Sequence, residues 1–78
     1  MSREDLARAG FFPADWIPSG TRYQHGELLV RMSMRGSLRL FIPAGGADVE
    51  LASGSLFDPV VHYVGTLDGV AAMLLQLL

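Results

Sequence analysis

Apolar residues recur every second position through the middle of this chain and at a helical spacing over its last thirteen residues. The change of period sets out the elements. The clearest strand is Glu27 to Met34, where Leu28, Val30, Met32 and Met34 alternate with Leu29, Arg31, Ser33 and Arg35. A second strand sets Leu38, Leu40 and Ile42 against Ser37, Arg39 and Phe41. A third, Ala47 to Ala52, sets Val49 and Leu51 against Asp48 and Glu50. Pro59 to Val64 is a last strand whose apolar residues do not alternate, so both of its faces are expected to be covered. From Thr66 the pattern turns helical: Leu67, Val70, Ala71, Met73, Leu74, Leu75, Leu77 and Leu78 span about 200° of arc at roughly 100° per residue. An amphipathic surface helix needs a stripe only somewhat wider than about 100°. Val70, Met73, Leu74 and Leu77 are assigned to the domain's own core, and the surplus arc of Leu67, Ala71, Leu75 and Leu78 to a partner.

The ends of the elements carry their own signals. Ser2-Arg3-Glu4-Asp5 has the form of a capping box with Asp in place of Glu, and it opens a short helix through Ala9. Gly10 suits a left-handed cap, with Phe11 packing back on the last turn. The prolines of Phe12-Pro13 and Ile17-Pro18-Ser19-Gly20 make residues 11–20 an irregular connection. Phe11, Phe12, Trp16 and Ile17 dock it on the body, and Tyr23 lies close by. Thr21 to Gln24 is a candidate short strand turned by His25-Gly26. Ala52 to Asp58 is expected to be a polar loop with Leu56 and Phe57 tucked inward. Thr66 is the candidate N-cap of the last helix, and Asp68 complements its positive end.

Side-chain phase predicts the pairing. Holding Val30, Met32 and Met34 on one face with Leu38, Leu40 and Ile42 requires an odd connection, Arg35-Gly36-Ser37, or a bulge. Three residues would set Met32 against Leu40. Pro43-Ala44-Gly45-Gly46 as a four-residue turn sets Leu40 against Val49. The outer face then carries Arg31, Arg35 and Arg39 with Phe41 nearby, and an exposed Arg39–Glu50 pair worth about 0.2–1 kcal/mol. The predicted class is α+β: a short N-terminal helix, an antiparallel meander of about four to five strands, and a C-terminal helix packed on one sheet face, all in one domain over residues 1–78.

Composition narrows the function. Half of the 78 residues are apolar, 18% are charged, and the net charge is −2. That is a globular balance, with no basic field to recruit nucleic acid or a membrane. A domain this small has little stability to spare, and oligomerisation is a common supplement. With no cysteine, thiol catalysis, disulfides and zinc–thiolate sites are excluded. The charged N-terminus has no apolar signal core, and the last apolar run is too short to span a bilayer. The expectation is a cytoplasmic protein. All six basic residues are arginine, so lysine chemistry is excluded too.

Candidate chemistry is sparse. His25 precedes a turn glycine and is expected to be an exposed turn residue. His62, beside Tyr63 in an apolar strand, is the candidate base of a small enzyme or ligand site. No serine stands in a nucleophile-elbow pattern, and two isolated histidines lack metal-ligand spacing. Neither a metal nor a cofactor is expected. Gly45-Gly46 precedes neither lysine nor helix, so it is a turn and not a phosphate cradle.

In size and style alone the chain resembles the small accessory proteins of bacteriophages that infect GC-rich bacteria, anti-CRISPR proteins among them. The resemblance implies an inhibitor that occludes a surface on a larger host complex. The leading expectation is a non-catalytic protein-binding module, homodimeric through the C-terminal helix. Its partner-binding residues are Leu67, Ala71, Leu75 and Leu78, with Arg31, Arg35, Arg39 and Phe41. The first alternative is a nucleic-acid-binding domain using the arginine face. The second is an enzyme or ligand binder near His62 and Tyr63.

Overall fold

Helix α1, Arg3–Arg8, shows how closely the local sequence dictates local structure. In the computed structural model, which describes residues 2–14, 25–33, 36–46, 48–55 and 58–77, its first turn closes on a reciprocal capping box. The Asp5 N–H donates to Ser2 Oγ at 3.2 Å, and the Ser2 N–H donates to Asp5 Oδ2 at 2.9 Å. These bonds hold the Asp5 carboxyl below its ordinary value, the Ser2 backbone bond contributing most. The last turn ends in a Schellman motif: Phe11 N–H reaches Leu6 O and Gly10 N–H reaches Ala7 O, both at 3.0 Å. Gly10 sits at φ +96, which an L side chain resists. The motif turns Phe11 back beside Leu6, and both are buried in the main core.

The sheet has five antiparallel strands in sequence order: β1 Phe12–Pro13, β2 Gly26–Ser33, β3 Gly36–Pro43, β4 Val49–Gly54 and β5 Pro59–Gly65. Phe12 and Pro13, expected in an irregular connection, pair instead with Val30 and Leu29. Proline is tolerated there because β1 lies at the sheet's edge. Phe12 is left half exposed where docking was expected.

The register of β2 against β3 departs from expectation. Ser33 pairs with Gly36 and Leu29 with Leu40, so two residues connect the strands where an odd number was predicted. An even connection reverses the phase of β2. Leu29 and Arg31, not Val30 and Met32, share a face with Leu38 and Leu40. Two-residue loops match the twist of paired strands, and β2 accepts either phase because Leu28 and Leu29 are both apolar. The register of β3 against β4 is also shifted, with Leu40 opposite Leu51 where Val49 was predicted. A shift of two preserves the faces, and Val49 and Leu51 both reach the core. β4 runs on through Gly54, into what was predicted as loop.

Leu40 and Leu51 are fully buried in the centre of the helix-covered face, flanked by Leu29 and a partly buried Tyr63. Onto this row pack Leu6 and Phe11 from one end of the chain, and Val70 and Leu74 from the other. On the far face Leu28 and Phe41 pair across β2 and β3 and form a smaller buried cluster with Ala14.

The last helix opens with a 3-10 turn, Leu67–Gly69, and continues as α2, Val70–Leu77. Thr66 holds the extended N-cap conformation without a side-chain bond. The small α+β architecture is as predicted: N-terminal helix, antiparallel sheet, C-terminal helix on one face. The expectations for Trp16, Ile17, Tyr23, the Thr21–Gln24 strand, Met34, Arg35, Leu56, Phe57 and Leu78 lie outside the described residues, as does the side chain of Leu77.

Candidate interaction surface

β5 is last in sheet order, and no described strand pairs with its outer side. From Pro59 to Thr66 it carries no charged residue, although exposed edges are ordinarily guarded by charge. Val60, Val61 and Val64 are 56%, 43% and 58% exposed. The expectation that both faces of this strand are covered is therefore overturned.

The strand fails to alternate because it is bulged. Leu51 pairs with Tyr63 and Ala52 with Val61, leaving His62 as an extra residue. The insertion brings His62 and Tyr63 to the same face. Val61 and Val64, three apart, then share the far face, opposite Ala52 and Glu50. His62 Nε2 lies 2.8 Å from Ser53 Oγ, both residues half-buried. Among the described residues no carboxylate bonds to this imidazole. Tyr63 does not join the pair. Its hydroxyl donates to Thr66 O at 2.7 Å, and its ring lies over Gly65 and Gly69. A Cβ at Gly69 would collide with the Tyr63 hydroxyl oxygen.

In α2, Leu67 packs partly buried against the core and does not belong to the outward arc. Ala71, Ala72 and Gln76 are exposed, and Leu75 is 85% exposed. The surplus arc is thus narrower than the sequence predicts. The 3-10 turn accounts for this, because its tighter winding rotates Leu67 relative to Val70 and Leu74.

The predicted arginine face is not formed. Arg31 and Arg39 lie on opposite faces, because the even connection inverts β2 relative to β3. Arg31 donates from Nε to Ala9 O at 2.7 Å, so it caps the C-terminal end of α1. Arg39 is 6% exposed and opposite Ala52, not Glu50, so the exposed Arg39–Glu50 pair is also absent. Its Nη2 donates to Ser53 O and Ser55 O at 3.2 and 3.3 Å, while Nε has no partner among the described residues. Phe41 shares the face of Arg39 but is buried against Leu28 and Ala14.

An open concavity of about 510 Å³ lies between His25, Gly26, Glu27, Ile42, Pro43 and Ala44. The Glu27 carboxylate is already engaged by Arg3 from α1. Among the described residues no cluster of three or more acidic or histidine side chains is placed to hold a metal, and no helix is long and apolar enough to cross a membrane.

Sequence reasoning missed Val60, Val61 and Val64 as surface residues. The available signal was the uncharged run from Pro59 to Thr66 combined with its broken alternation, which marks a bulge as readily as a strand buried on both faces. Comparison with protein-family models, with curated proteins and with solved structures finds no match to this chain.

Proposed function

We propose that this chain is a non-catalytic protein-binding module that associates with itself. The observation supporting it is the run of large apolar side chains left open along β5: Val60, Val61 and Val64. Full burial of an exposed side chain of this kind is worth about 1.5–3 kcal/mol, and these are about half open, so each gains roughly half of that. Association costs on the order of 4–15 kcal/mol in lost freedom. Two copies contributing these residues together exceed the lower part of that range. A cytoplasmic setting suits a chain without cysteine and belongs to the same reading. Sedimentation velocity at micromolar concentration tests it: the expected result is a dimer in exchange with monomer. A strict monomer up to the solubility limit overturns self-association.

A further inference from the structure

Resting on that reading, we propose that the self-association surface is the outer edge of β5, which no described strand occupies, joined antiparallel to the β5 edge of a second copy about a two-fold axis between His62 and Tyr63. The edge of a sheet is a template for another strand, because half of its backbone donors and acceptors point outward. The bulge decides which strand fits. Val61 and Val64 share a face across the extra residue His62. A regular strand laid along β5 would present opposite faces to positions three apart and lose register at His62. A strand with the same insertion keeps it. Val61 then lies opposite Val64 of the copy, His62 opposite Tyr63, and Val60 opposite Gly65, each pair on a common face. The edge is uncharged from Pro59 to Thr66, so an identical edge meets no like-charge repulsion. Val61 and Val64 of the two copies form one four-valine cluster on the far face. β-Branched pairs of this kind favour cross-strand association.

The absence of cysteine gives a clean background for the test. Val61→Cys and Val64→Cys proteins are prepared separately, mixed in equal amounts and oxidised. Directly opposed strand residues have Cα atoms about 4.5–5.5 Å apart, within disulfide range. The expected result is a cross-linked heterodimer forming about tenfold faster or more than in a mixture of Val61→Cys with Ala7→Cys, whose site lies on the exposed side of α1. Val64→Lys, with its far-ultraviolet circular dichroism unchanged, is expected to weaken dimerisation about tenfold or more. A dimer that survives Val64→Lys, or that shows no preference for the Val61–Val64 cross-link, overturns edge pairing and leaves self-association standing. A strict monomer overturns both.

Discussion

Tyr63 and Gly69 illustrate how single residues decide the joint between sheet and helix. The Tyr63 hydroxyl caps Thr66 O and occupies the space that any side chain at 69 would need. Gly69→Ala is therefore expected to cost about 1–3 kcal/mol by overpacking, measured by urea denaturation. Tyr63→Phe removes the clashing oxygen, so the double variant should lose less than the two single losses added together. Arg39 is the other decisive residue, a guanidinium buried on backbone carbonyls. Truncation in Arg39→Ala is expected to cost about 2–5 kcal/mol, as for large buried side chains. Arg39→Met keeps the volume of the stem and sheds a desolvated charge, so it should fall within about 1.5 kcal/mol of the parent. Equal losses for the two variants would show that the carbonyl bonds, not packing, dominate at this site.

At the scale of elements, α1 couples folding to pH through its cap. The Asp5 carboxyl titrates below its unfolded value because Ser2 donates to its charged form. Its contribution is therefore complete above about pH 4, and is lost as pH falls through the depressed folded value. Amide shifts of Ser2 and Asp5 should move together below the ordinary aspartate range, and Asp5→Asn should abolish that step. α2 makes a complementary prediction. Leu74 is buried and its neighbour Leu75 is exposed. Leu74→Ala is expected to cost about 2–5 kcal/mol, whereas Leu75→Glu should change monomer stability by no more than about 0.5 kcal/mol. Both caps of α1, the helical period of α2 and the presence of every long strand were legible in the sequence, because each rests on residues within a few positions of one another. The phase of β2 was not legible. Leu28 and Leu29 satisfy two different clusters, so alternation alone allowed either face. The choice rested on a two-residue connection and on the task of Arg31 at the end of α1.

For the whole molecule, the order of the described strands follows the chain order, so the outermost of them are the first and the last. A short edge ending in proline leaves little of β1 to pair. β5 is longer, and from Pro59 to Thr66 it carries no charged residue. Self-association through it links stability to concentration. The midpoint of thermal unfolding, Tm, is expected to rise with each tenfold increase in protein concentration, measured by calorimetry. It should stop rising in Val64→Lys. A concentration-independent Tm in the parent protein counts against association at any surface.

The amino-acid order determined the helices, their caps, the alternation of the strands and the α+β class, since each depends on backbone preference or on side-chain spacing over a few residues. Which face Arg31 and Arg39 occupy, which valines stay in water and where His62 finds Ser53 were decided only in three dimensions. Those outcomes depend on the length of one connection and on one inserted residue, and every side chain beyond such a point changes face with it.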